Sequence, residues 1–203
     1  LNTEDRKKLL ELYEGRYAQF GYDVRTVGWK DSETQRLRFD VLSEIADLSG
    51  SSICDLGCGF GDLYPYLLLK FRNIKYTGID LSEKLIEEAK RRYPDAAFRA
   101  EDILQCSSGM KADYVLSSGA LSFKVQNHED YVRKMLEAMM VISTRGVAVN
   151  FLSSYVDYEL DKNFHFSPEE AFTMGCRLTR YVTIRHDYPL YEFTMYLYHN
   201  AHE

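Results

Sequence analysis

Three glycines and two carboxylates carry the clearest chemistry in this chain. Gly57, Gly59 and Gly61 alternate within Ile53-Cys54-Asp55-Leu56-Gly57-Cys58-Gly59-Phe60-Gly61-Asp62, directly after a short apolar run. Residues without a Cβ let the backbone adopt conformations closed to other side chains and admit a ligand to backbone distance. The spacing narrows the ligand. A dinucleotide fingerprint reads G-x-G-x-x-G, and here the third glycine comes one residue early. A P-loop would end in Gly-Lys-Ser/Thr, which is absent. No phosphate is implied, and a purely structural strand-turn-helix corner could also use three glycines. Asp80 follows the run Lys75-Tyr76-Thr77-Gly78-Ile79. A carboxylate there can accept two hydrogen bonds from vicinal ribose hydroxyls. Asp102, after Phe98-Arg99-Ala100-Glu101, could accept from an adenine amino group while Ile103 packs on the ring. Two acids in this order suit an adenosine, although either could serve as a helix cap or turn residue.

The elements that must position these groups follow from periodicity. Leu9, Leu12, Tyr13, Tyr17 and Phe20 recur at helical spacing before Gly21. Ser32-Glu33-Thr34-Gln35 fits a capping box that opens a second helix, with Leu37, Val41, Leu42, Ile45 and Leu48 as its apolar stripe up to Gly50. From residue 52, short apolar runs alternate with helical patterns. Strands are expected at Ser52–Leu56, Lys75–Asp80, Ala96–Glu101, Tyr114–Ser117 and Gly146–Leu152. Helices are expected from about Asp62, after Ser82, and over His128–Ile142. Such alternation implies βαβ units, a parallel sheet with helices on both faces, and a switch point over the first strand, where ligands bind. Leu178–Arg185 and Leu190–His199 alternate with period two around an Asp187-Tyr188-Pro189 turn and read as an antiparallel pair.

Composition excludes other classes. A formal charge of −6 without a basic block removes the electrostatic footprint of a nucleic-acid binder. No run approaches the roughly 20 apolar residues that span a bilayer, and the first residues lack a signal-peptide core, so a cytoplasmic protein is expected. Cys54, Cys58, Cys106 and Cys176 form neither a disulfide framework nor a zinc pattern, and are expected to be reduced thiols with no metal. The 203 residues fit one domain: a helical cap over 1–50, a ligand-binding core over 51–152, and a cover segment with the antiparallel strands over 153–203.

Asp55-Leu56-Gly57-Cys58-Gly59-Phe60-Gly61, with Asp80, Asp102 and Ala112-Asp113-Tyr114-Val115-Leu116-Ser117-Ser118, resembles the ordered motifs of class I S-adenosylmethionine-dependent methyltransferases. The likeness covers about residues 50–152, and the tail resembles the family's closing strand pair. The resemblance implies a three-layer α/β sandwich of Rossmann-like type, with a mostly parallel seven-stranded sheet, its last strand antiparallel, and extra N-terminal helices. It implies that Asp55, Gly57, Gly59 and Gly61 hold the methionine part of S-adenosylmethionine, Asp80 the ribose, and Asp102 with Ile103 the adenine, S-adenosylhomocysteine being the product. Ser117 and Ser118 would lie beside the sulfonium, and Cys58, Leu81 and Arg38 complete the expected cofactor contacts. The base-methylating Asn/Asp-Pro-Pro-Tyr/Phe motif is replaced by Ser117-Ser118-Gly119-Ala120, which argues against a nucleic-acid acceptor. The whole chain also resembles the small-molecule methyltransferases of bacterial type, which carry extra helices before the glycine loop.

Methyl transfer from a sulfonium is an in-line displacement that needs no metal, and needs a base only if the acceptor arrives protonated. His128 and His165 are candidate bases, although His128 beside Asn127 also suits a helix start. Tyr13, Tyr17, Trp29 and Tyr155 are the expected pocket aromatics, contributed by the first helices and the Phe151–Phe166 stretch with Tyr158. The expected acceptor is a small molecule. A protein or peptide acceptor, a cofactor-binding partner subunit without turnover, and a nicotinamide oxidoreductase are the competing readings.

Overall fold

The computed structural model describes residues 1–105 and 109–201, so the expectation for Cys106 lies outside the described residues. Two helices come first, α1 (Thr3–Phe20) and α2 (Ser32–Ser43). The alternating core follows as β1 (Ser52–Leu56), α3 (Leu63–Lys70), β2 (Lys75–Asp80), α4 (Glu83–Arg92), β3 (Ala97–Ala100), β4 (Ala112–Ser117), α5 (His128–Ile142) and β5 (Ser143–Leu152). A final helix, α6 (Pro168–Cys176), precedes β6 (Tyr181–Arg185) and β7 (Glu192–Tyr198).

The strands form one seven-stranded sheet in the order β3-β2-β1-β4-β5-β7-β6. Pairs among the first five are parallel, and β7 runs antiparallel to both β5 and β6. The chain leaves β1 toward β2 and later returns to β4 on its other side, which opens a crevice at the carboxyl ends of β1 and β4. The fold expectation is met: a three-layer α/β sandwich with the last strand antiparallel.

Both sheet faces are covered, as near-continuous apolar strands require. On one face Phe39 and Leu42 of α2, Leu63 and Leu67 of α3, and Ile86 and Ala89 of α4 bury Ile53, Tyr114 and Ala148. On the other, Val132 and Leu136 of α5 and Ala171 of α6 bury Cys54, Val115, Val147 and Met195.

Two local readings need correction. The cap of α2 is Asp31, whose Oδ1 accepts from Thr34 N at 2.8 Å, one residue ahead of the expected box. Gln35 is thereby free of a capping role. The apolar stripe also outruns its helix: α2 stops at Ser43, yet Ile45 and Leu48 stay fully buried in the turn that follows. Helix α6 was not anticipated, although Ser167-Pro168-Glu169-Glu170 carries its signature. Ser167 Oγ accepts from Glu170 N at 3.3 Å, and Pro168 occupies the first turn.

Candidate active site

The cleft is built where β1 runs into the glycine loop. Gly57 has a φ of 74°, and a Cβ there would stand 2.3 Å from Ala120 Cβ, so only glycine lets β1 turn beneath the loop after β4. The amides of Gly57 and Cys58 donate to Ile79 O at 2.8 and 3.0 Å, which ties the loop to β2. Asp80 completes the tie: Oδ2 accepts from Gly59 N and Oδ1 from Ser82 N, each at 2.9 Å. Burial pushes the Asp80 carboxyl above its ordinary pKa, while the amides of Ser82, Gly59 and Leu81 pull it back.

Asp55 lies beneath the loop, 3% exposed, and accepts from Tyr76 Oη at 2.5 Å. Burial pushes its pKa up to about 7, opposed by the Tyr76 hydrogen bond and reinforced by the charges of Asp80 and Asp62. Asp102 is 8% exposed, and its oxygens accept from Leu104 N and Gln105 Nε2, both at 3.0 Å. Arg6 of α1 stands 3.5 Å from the same carboxylate. The turn role thus coexists with a place on the cleft wall.

The cleft has an empty volume of about 1010 Å³ counted out to open solvent. Asp55, Asp62, Asp80, Glu101 and Asp102 line it, and among the described residues no Lys, Arg or His does. Its field is therefore negative, suited to a cationic ligand. Leu9 and Tyr13 of α1 and Trp29 cover it from the amino-terminal side. Trp29 packs over Gly119 so closely that a Cβ on Gly119 would lie 2.2 Å from Cη2. Arg38 stacks on the same indole, its guanidinium 4.0 Å from the ring centroid. On the wall, the Ser118 hydroxyl is buried without a hydrogen-bond partner.

Of the residues singled out in the sequence, Asp55, Gly57, Cys58, Gly59, Asp80, Leu81, Asp102, Ile103, Ser118, Tyr13 and Trp29 converge on this cleft. Several do not. Ser117 is fully buried and donates to Leu56 O at 2.9 Å, joining β4 to β1 instead of facing a ligand. Gly61 turns away from the cleft; a Cβ there would strike the Phe98 ring at 2.5 Å, so its smallness serves packing of the loop on β3. Arg38 is consumed by a buried ion pair with Glu192 of β7 and a bond from Nη1 to Thr34 O at 2.9 Å. Tyr17 packs on Phe60 and reaches Glu88, and Tyr155 is 62% exposed with its hydroxyl on Glu169.

Neither histidine reaches the cleft lining. His128 is 4% exposed and stacked 4.2 Å from Phe164, its Nδ1 accepts from Val125 N, and burial pushes its pKa down to about 4. His165 bonds to Ser153 O through Nδ1. The lining residues Gln35, Phe39, Tyr131 and Met135 escaped the sequence reading. Their signal was present: each pair is spaced i, i+4 on an expected helix and so shares one face.

Comparison with known proteins decides the family. A family profile described as a methyltransferase domain matches residues 53–142. Rv1506c of Mycobacterium tuberculosis, whose own methyltransferase name is provisional, is 33% identical over 152 residues, covering 71% of this chain and 90% of that protein. The chain belongs to the class I S-adenosylmethionine-dependent methyltransferases. A trans-aconitate 2-methyltransferase of Sinorhizobium fredii is 26% identical over 60% of this methyltransferase, which spans only 46% of that longer relative. The magnesium protoporphyrin IX methyltransferase of Synechocystis PCC 6803, solved with bound SAH, shares the fold: its TM-score is 0.69 at 16% identity, covering 97% of this chain and all of that one. Among the described residues no helix is long and apolar enough to cross a membrane.

Proposed function

We propose that the cleft above Gly57 and Asp80 binds S-adenosylmethionine and that the enzyme transfers its methyl group to a small-molecule acceptor. The observation that carries this reading is the cleft itself, acid-lined, closed over by Tyr13 and Trp29, and placed at the β1/β4 switch point. Its residues fit the cofactor. The unpartnered Ser118 hydroxyl offers a polar contact for the methionine part, beside the loop that Gly57 and Gly59 let pack against Ala120 and Val27. Asp80 accepts from the amides of Gly59 and Ser82, and lone-pair capacity that remains on the carboxylate can accept from ribose hydroxyls. Leu81, Ile103 and Met135 would enclose the adenine, with Asp102 at its edge. Asp55 and Cys58 complete the floor.

The bound cofactor supplies an electrophilic methyl on a positive sulfur. The chain supplies position and exclusion of water. Holding nucleophile and methyl carbon in line contributes up to about 7–11 kcal/mol in intramolecular analogues. Trp29 over Gly119 and Tyr13 on α1 keep the reacting atoms dry. Burial raises the pKa of both Tyr13 and Tyr131, which makes them poor bases. Among the described residues no histidine lines the cleft, so an acceptor that needs no deprotonation by the enzyme suits it best. The arrangement also supports one domain over 1–203, with 1–50 as cap, 51–152 as cofactor core and 153–203 as cover and closing strands. The cap's α2 packs into the common core.

Calorimetric titration of S-adenosylhomocysteine into wild type and Asp80→Ala tests the assignment. The expected loss exceeds about tenfold, the scale of one to two hydrogen bonds to a charged group. Equal affinities would remove Asp80 from the ribose site. Mass spectrometry of methyl transfer to small molecules against peptides then tests the acceptor class.

A further inference from the structure

A second chamber opens beside the cleft, and one buried side chain with unspent hydrogen bonds stands between the two. The chamber has an empty volume of about 1030 Å³ counted out to open solvent, and Tyr22, Phe39, Pro65, Tyr66, Leu69 and Tyr93 are among its walls. It shares Gln35, Phe39 and Asp62 with the cleft, so the two are continuous. Its aromatic walls are held in place. Tyr22 and Tyr93 both donate to Asp62 Oδ1, at 2.5 and 3.2 Å, and the rings of Phe39 and Tyr66 pack with centroids 5.5 Å apart. Tyr22 also meets Phe60 of the cleft edge-on, 5.1 Å between centroids. Gln35 and Phe39 lie one turn apart on α2 and share a face. Gln35 is 8% exposed, yet among the described residues its carboxamide makes no hydrogen bond. The start of α2 leaves it free, because Asp31 caps through Thr34 N. A polar group taken out of water without a partner is costly, and a ligand that supplies partners removes the cost.

We propose that Gln35 and the aromatic chamber recognise the non-reacting part of the methyl acceptor, a flat aromatic body that carries an uncharged hydrogen-bonding group. The assignment rests on the methyl-transfer reading above. The carboxamide offers donors at Nε2 and an acceptor at Oε1, which matches an amide or a hydroxyl, and the rings give the body a surface to pack on. Of the three residues common to chamber and cleft, Asp62 alone is charged, and its carboxylate disfavours an anion beside Gln35. Arg36 lines the chamber but not the cleft, exposed, with its guanidinium 6.0 Å from the Tyr66 centroid, and Asp23 is paired with Arg25. Asp62 directly follows the glycine loop, so the chamber meets the cleft at the methionine end of the proposed cofactor site. An acceptor seated there leaves the adenine end clear.

The test is ligand-observed NMR on protein saturated with S-adenosylhomocysteine, titrated with benzamide, benzoate and propionamide. Benzoate exchanges the amide for a charge, and propionamide lacks the ring. Wild type is expected to bind benzamide about fivefold more tightly than either, and Gln35→Met, which keeps the side-chain length without the amide, to lose about fivefold in benzamide affinity. In isotope-labelled wild type the Gln35 side-chain amide resonance should shift as benzamide is added, a readout that stands even if the variant fails to fold. Calorimetric affinity for S-adenosylhomocysteine should stay unchanged in Gln35→Met. The proposal is overturned if wild type binds no benzamide at millimolar concentration, if propionamide or benzoate binds as tightly, or if folded Gln35→Met binds benzamide equally well. It is also overturned if the variant loses S-adenosylhomocysteine affinity instead, which would give Gln35 to the cofactor's own carboxylate. Wild type that binds S-adenosylhomocysteine but not benzamide sinks this assignment alone, whereas failure to bind S-adenosylhomocysteine removes the methyl-transfer reading and this assignment with it.

Discussion

Replacing Arg38 or Glu192 singly should destabilise the fold far more than replacing both. The two residues are 8% and 4% exposed, and Arg38 Nε donates to both carboxylate oxygens at 3.0 and 2.9 Å. Removing one partner strands the other charge in the interior, which costs about 3–5 kcal/mol. For 203 residues the unfolding entropy is roughly 0.43 kcal/mol/K, so Tm should fall by about 7–12 °C in Arg38→Met and in Glu192→Met. The double variant removes both desolvation penalties and should lie within about 2 kcal/mol of wild type, because buried pairs and well-packed apolar replacements are close in energy. Differential scanning calorimetry of the four proteins gives the coupling directly. Additive losses, or single variants that melt within about 2 °C of wild type, would refute the argument that this pair is a closed, desolvated unit.

Other outcomes follow from the same geometry. Gly119→Ala combines a φ of 72° with a Cβ 2.2 Å from Trp29, so it should displace the indole; because Trp29 is the single tryptophan, its fluorescence reports the change without ambiguity. An unchanged emission spectrum would argue against that contact. Added S-adenosylhomocysteine should perturb the same emission, and Trp29→Phe should abolish the signal. Asp55 has a folded pKa of about 7 against 3.8 ordinarily, so the unfolded chain releases this proton first and stability should fall as pH rises from about 4 to 7. Asp55→Asn should flatten that part of the Tm profile relative to wild type, with Asp80 contributing a residual slope of the same sign.

The sheet core could be read from local pattern because each of its strands and helices announces itself within a few residues. β1, β2 and α5 fall on the expected bounds, and Ser82 caps α4 as read, accepting from Leu85 N. The glycine loop and Asp80 were accessible for the same reason, since their roles depend on neighbours in one βαβ unit. What stayed hidden depends on distant partners. Arg38 looks like a cleft cation until Glu192, 154 residues away, is folded against it. Ser117 and Ser118 are equivalent in sequence, but strand alternation turns the first toward Leu56 O and leaves the second facing the cleft. The tyrosines divide likewise: Tyr13 reaches the cleft, whereas Tyr17, one turn along α1, meets Phe60 and Glu88.

The insertion of β7 between β5 and β6 dictates an order of assembly. β6 touches the rest of the sheet only through β7, so it must wait, although it leaves the ribosome earlier. Until Glu192–Tyr198 emerges, the β5 backbone offers an unpaired row of amides and carbonyls to any passing chain. A nascent polypeptide stalled before residue 192 would carry an almost complete switch-point crevice beside an open strand edge, which makes the arrival of β7 the step that seals the sheet.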